Sequence, residues 1–152
     1  MSVGGQADVA AVGFGKVWVG NQNGTGSTID PATNAVVGSP IPVDRDTDAL
    51  AVSDQGVWVS TFYSGTVALL DPVTRAIAAK LTLPGQASGL LFAAGSLWAS
   101  VYDRAEVVQI DPQTAKIAGT FSVGTKPRDL VSDGSSIWVV NEASNSASRI
   151  TP

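Results

Sequence analysis

The residue types that could do chemistry in this chain are few. It carries 13 Asp and Glu against 9 Lys and Arg, with no histidine and no cysteine. Without histidine the commonest general base and the commonest metal ligand are gone. Without cysteine there are neither disulfides nor thiolate metal sites. Serine is plentiful, but no histidine stands ready to activate it. Asp44, Asp46 and Asp48 alternate like a calcium loop, yet Arg45 intervenes and no Gly or distal Glu follows at EF-hand spacing. Gly13-x-Gly15 and Gly24-x-Gly26 sit in turn-like segments with no following helix to hold a phosphate. No cofactor is expected, and neither Mg²⁺ nor Ca²⁺ has a ligand set in the sequence. What remains is a group of charged and aromatic residues suited to recognition rather than bond-making: Asp46, Tyr63, Tyr102, Arg104, Arg128 and Glu142. They are scattered along the chain, so only a particular arrangement of elements could bring them together.

Those elements follow from a repeat. Trp18, Trp58, Trp98 and Trp138 stand 40 residues apart. Each is flanked by apolar residues, as in Val57-Trp58-Val59 and Ile137-Trp138-Val139. A second signal trails each tryptophan: Ile29-Asp30-Pro31, Leu70-Asp71-Pro72, Ile110-Asp111-Pro112 and Ile150-Thr151-Pro152. Within a unit the pattern has period 2 in short runs broken by Gly, Pro, Asn and Asp, which leaves no room for a ten-residue helix. Leu50–Val52, Val57–Ser60, Thr66–Leu70 and Ala76–Leu83 read as four strands of one unit. Four short antiparallel strands per 40 residues is the arithmetic of a β-propeller blade. An apolar content of 44% with 14% charged residues excludes a disordered chain. The expectation is a single all-β domain over 1–152, with blades at 8–47, 48–87, 88–127 and 128–152, the last without its outer strand.

The Asp-Pro-x-Thr element is expected to close a turn, Asp accepting backbone N–H groups and Pro presetting φ. Asp30, Asp71 and Asp111 would lie on different blades, too far apart for a shared metal. The tryptophans are expected to pack between neighbouring blades, with carbohydrate stacking as the functional alternative.

Three stretches carry a family resemblance: Gly124-Thr125-Lys126-Pro127-Arg128-Asp129-Leu130, Ile137-Trp138-Val139-Val140-Asn141 and Ile110-Asp111-Pro112-Gln113-Thr114. They resemble the YVTN-type β-propeller repeat, which is similar to the NHL repeat and to the blades of the streptogramin B (virginiamycin B) lyase family. The resemblance covers essentially the whole chain. It implies a propeller used in bacteria as a sensor, a surface module, a binding scaffold or, less often, an enzyme. The lyases eliminate across an ester with a His base and a Mg²⁺ held partly by Glu. No position here can supply the His, and the only glutamates are Glu106 and Glu142. The sequence therefore points to a non-catalytic binding module. The alternative is a lyase-like, metal-dependent C–O lyase whose base comes from outside this chain.

In propeller topology the loop entering each inner strand and the loop between the second and third strands share the face around the channel. The first set here includes residues 44–48, 86–88 and 126–129; the second includes 21–23, 62–63, 102–104 and 141–142. All six candidate residues fall in these sets, which is the reason for choosing them. A protein, peptide or sugar ligand would suit this rim. Nucleic acid and membrane are not expected, because the net charge is −4 and the basic residues are scattered. No secretory signal is visible at residues 1–6, and the family resemblance fits either an extracytoplasmic or a cytoplasmic bacterial setting. Three forms of ring are consistent with about four blades: half of an eight-bladed ring closed as a homodimer, a fragment of a longer propeller, or a self-closed four-bladed ring. The first is expected, since open end faces would be apolar.

Overall fold

The computed structural model describes residues 1–152 and contains sixteen β-strands and no helix. In chain order they are β1 (Ala7–Gly13), β2 (Lys16–Asn21), β3 (Thr25–Asp30), β4 (Ala35–Val36), β5 (Ile41–Pro42), β6 (Thr47–Val52), β7 (Val57–Thr61), β8 (Thr66–Leu70), β9 (Ile77–Thr82), β10 (Ala87–Ala93), β11 (Ser96–Val101), β12 (Glu106–Asp111), β13 (Lys116–Ser122), β14 (Pro127–Ser132), β15 (Ile137–Asn141) and β16 (Ser146–Ile150). They form four antiparallel sheets: β1 to β5, β6 to β9, β10 to β13, and β14 to β16. Each sheet is a blade, and each inner strand packs on the next: β1 on β6, β6 on β10, β10 on β14. The fold is an all-β partial propeller of four blades.

The repeated motifs do their work locally. Asp71 Oδ1 accepts the N–H groups of Val73 and Thr74 at 2.8 and 2.7 Å. Asp111 Oδ1 accepts from Gln113 N at 2.8 Å, and the Thr114 hydroxyl donates to Asp111 Oδ2 at 2.9 Å. Asp30 caps the same turn in the first blade through Ala32 N, at 2.8 Å. These bonds stabilise the ionised carboxylates, so Asp71 and Asp111 are held below the usual Asp range, chiefly by the backbone N–H groups of Thr74 and Gln113. The aspartates are turn caps.

Central strands are covered on both faces by neighbouring blades. Hence every residue of β7 and β8 is buried, while outer strand β9 alternates with solvent. The tryptophans occupy the inter-blade layer. Trp18 shares a cluster with Val57 and Val59 of the next blade, Trp58 with Leu97 and Ala99, and Trp98 with Ile137 and Val139. These three are at most 2% exposed, but Trp138, on whose face no other blade of the described residues packs, is 37% exposed. The sequence-based expectation of inter-blade packing therefore holds for three tryptophans and is corrected for the fourth. The outer strand of the first blade also departs from the pattern. It is split into β4 and β5, which pair separately with β3. Gly38 between them has φ 63°, and Pro40 has no N–H to give a ladder.

Candidate binding rim at the channel mouth

The loops of four blades are placed by one repeated backbone bond. The carbonyls of Gln6, Asp46, Gln86 and Lys126 accept the N–H groups of Gln22, Phe62, Tyr102 and Glu142, at 2.9, 2.8, 2.9 and 3.0 Å. The loop before each inner strand is thereby tied to the loop after the second strand. A second device aims side chains. The ladder between first and second strands is irregular at Ala7/Val9, Thr47/Ala49, Ala87/Leu90 and Pro127/Leu130. Such bulges re-aim the residues they contain, here Asp8, Asp48, Ser88 and Arg128. Asp46 and Lys126, two residues upstream of Asp48 and Arg128, take left-handed φ values of 62° and 55°.

The bulge residues interact across blades. The Ser88 hydroxyl donates to Asp48 Oδ2 at 2.5 Å, and Arg128 Nη1 lies 3.6 Å from Asp48 Oδ1. Arg128 Nε donates to Glu142 Oε2 at 3.2 Å, and the Tyr102 hydroxyl donates to the same oxygen at 3.2 Å. The Arg128 guanidinium lies 5.3 Å, and the Lys126 ammonium 5.4 Å, from the centre of the Tyr102 ring. Phe62 meets Tyr102 edge-on at 5.2 Å and Tyr63 at 5.1 Å. An aromatic line, Tyr63–Phe62–Tyr102, thus runs from the second blade into the third and ends under two cations.

Two hollows flank this line. One of about 330 Å³ is bordered by Asp8, Asp46, Asp48, Phe62, Tyr63 and Arg128. The other, of about 590 Å³, is bordered by Gln86, Tyr102, Asp103, Arg104 and Lys126 among others. Among the six residues chosen from the sequence, Tyr102, Arg128 and Glu142 are in direct contact. Asp46 and Tyr63 border the first hollow with Arg128. Arg104 stands apart in the second, its Nε donating to the Pro84 carbonyl at 3.0 Å. Sequence reasoning left Asp8, Asp48, Phe62 and Lys126 outside its chosen set. The signal that could have found Asp8, Asp48 and Arg128 together is their shared repeat position.

The alternating aspartates separate in space. Asp44 Oδ2 pairs with Lys80 Nζ at 2.8 Å, and that hydrogen bond holds its carboxyl below the usual range. Asp48 turns inward to Ser88 and Arg128. No three carboxylates converge as a metal site would require.

No protein-family model matches this chain, and no curated protein matches it by sequence. Solved structures do match by shape. The computationally designed Ika4 protein superposes with a TM-score of 0.85 at 14% identity, over 97% of this chain and 92% of that one. BamB from Moraxella catarrhalis gives 0.75 at 13% identity, over 99% of this chain and 43% of its own. The WD40 repeats of RRP9 give 0.76 at 11% identity, over 99% and 52%. The chain spans about half the length of these two natural proteins. At such identities the likeness establishes the β-propeller fold alone.

Proposed function

We propose that this chain is a non-catalytic binding module that takes a peptide segment of a partner protein on the channel-mouth rim. One observation carries the reading: Tyr63 is 73% exposed, yet it heads a three-ring line that ends beside Lys126, Arg128 and Glu142 of the fourth blade and the loop that enters it. Exposed aromatics so placed supply contact area at low entropy cost. Asp8 and Asp46 border the same hollow without an ion pair of their own. A Lys or Arg beside an apolar or aromatic side chain is the peptide chemistry that fits. A sugar stacked on the same rings is the competing ligand class.

The lyase-like alternative is not supported by any arrangement of residues at the rim. It needs a base that the chain's own side chains do not supply.

The test is a peptide array probed with the folded chain. Sequences pairing a cation with an aromatic or apolar residue should be retained. Tyr63→Ala, Tyr102→Ala and Asp46→Asn should each weaken retention without unfolding. If all three leave it intact while changes at the Asp-Pro turns abolish it, the rim is the wrong face. We also propose that the module self-associates into a closed ring, which the exposed Trp138 supports.

A further inference from the structure

We infer that the open face of β15 is the seat of the first blade of a second copy, docked head to tail, and that this contact completes the rim with the second copy's Asp8. The inference rests on the self-association proposed above and assigns it residues.

The inter-blade joint occurs three times inside the chain and obeys one offset. Trp18 meets Val57 and Val59, Trp58 meets Leu97 and Ala99, Trp98 meets Ile137 and Val139. Advancing Trp138 by the same offset, round four 40-residue units, leads to Val17 and Val19 of a following copy. Apolar side chains are present on both sides of that joint: Val17 is half-buried and Val19 buried on the first blade, and Trp138 stands half-exposed with the Arg149 guanidinium 5.6 Å from its ring centre. Val131 is 62% and Val140 51% exposed beside Trp138. On the first blade Val12 is 75% exposed. It holds the repeat position of Val52 and Phe92, which pack against the Trp18 and Trp58 clusters of the blade before them.

A further position completes each joint. Ile41 packs with Trp18, Leu81 with the Trp58 cluster, and Phe121 lies 5.5 Å from Trp98, ring centre to ring centre. The next member of that series is Met1 of the second copy, an apolar side chain 73% exposed in the single chain. The strand register agrees. Phe121 pairs with Val107 and Ser122 with Glu106, so Met1 and Ser2 of the second copy would lie against Ala147 and Ser146, on the unpaired edge of β16.

Charge gives the joint its orientation. At the inner rim, neighbouring blades bring Asp48 and Ser88 into a hydrogen bond. The same positions at the new joint are Arg128 and Asp8 of the second copy, an opposite pair. Reversing one chain would set like positions side by side and lose it. Two identical head-to-tail joints close a two-fold ring of eight blades. Each rim hollow beside Arg128 then gains a carboxylate from the second copy.

Light scattering at concentrations up to about 100 µM tests this. The expected mass is twice 15.5 kDa. Val140→Glu and Val12→Glu alter side chains already exposed in the single chain. Each should weaken association by at least about tenfold while far-UV circular dichroism stays unchanged. Arg128→Asp should weaken it, and adding Asp8→Arg should restore it. A mass of 15.5 kDa throughout that range, or a doubled mass indifferent to Val140→Glu and to the charge swap, overturns the inference. Peptide retention by Val140→Glu separates the two proposals: ligand binding can fail with the dimer intact, or survive in the monomer.

Discussion

Trp138 donates its indole N–H to Asp133 Oδ2 at 2.8 Å, whereas Trp98, one repeat earlier, donates to the Ala93 carbonyl at 3.1 Å. The difference comes from the preceding turn. In the first and third blades two residues with positive φ, Phe14-Gly15 and Ala94-Gly95, close the hairpin and leave a carbonyl facing the indole. In the fourth, Asp133 fills that place and also accepts from the N–H groups of Ser135 and Ser136. The Trp138 N–H is the largest of several bonds that hold the Asp133 carboxyl far below the usual range.

A pH dependence follows. The depressed carboxyl contributes stability that is complete above the unfolded Asp pKa of about 3.9 and is lost as pH falls through the lower folded value. Acidification well below pH 4, through the lowered folded value of Asp133, should therefore shift the Trp138 indole N–H resonance and leave those of Trp18 and Trp98, which donate to carbonyls, in place. Asp133→Asn should remove the titration. Coincident movement of all three indoles would mean global unfolding instead.

The same tryptophan position should give unequal losses of stability. Trp98→Ala empties a site with no solvent exposure and should cost about 3–5 kcal/mol in denaturant unfolding. Trp138→Ala should cost the isolated chain well under half of that. Equal losses would place Trp138 inside a packed joint even in the monomer.

Trp58 has no hydrogen-bond partner for its buried indole N–H, while Trp98 has one. Trp58→Phe removes an unsatisfied donor, and Trp98→Phe leaves the Ala93 carbonyl without its bond. Trp58→Phe should thus be milder by about 1 kcal/mol, read as the difference in unfolding free energy.

Gly89 marks a close approach between the inner strands β10 and β14. A Cβ there would stand 2.3 Å from the Arg128 carbonyl oxygen and 3.0 Å from Leu130 Cδ1. Backbone cannot swing aside as a side-chain tip can. Gly89→Ala should destabilise by about 1–3 kcal/mol and disturb Arg128 at the rim. Full stability would show that β10 and β14 can part without cost.

Much of this was legible in one dimension because a propeller repeats its physics. Every blade buries the same positions against the same kind of neighbour, so the tryptophan interval disclosed the blades. Turn caps are local, and Asp71 and Asp111 could be read from Asp-Pro-x-Thr alone. The two-piece outer strand of the first blade was less legible: the short Gly38–Pro40 interruption resembles an ordinary turn, and which strand each piece pairs with is a long-range matter.

By itself the sequence determined the all-β class, the blade count, the turn chemistry and the loops that meet at one rim. Each depends on residues close in the chain or on the repeat interval. Only the tertiary structure decided which members of those loops touch. Arg128 reaches Asp48 across the blade between them, Tyr102 and Arg128 share Glu142, and Arg104 turns to Pro84. It also decided that Trp138, flanked by apolar residues as the other three are, stands partly exposed. Burial belongs to whatever packs on the opposite face, and an inter-blade face is covered only when a neighbouring blade arrives to cover it.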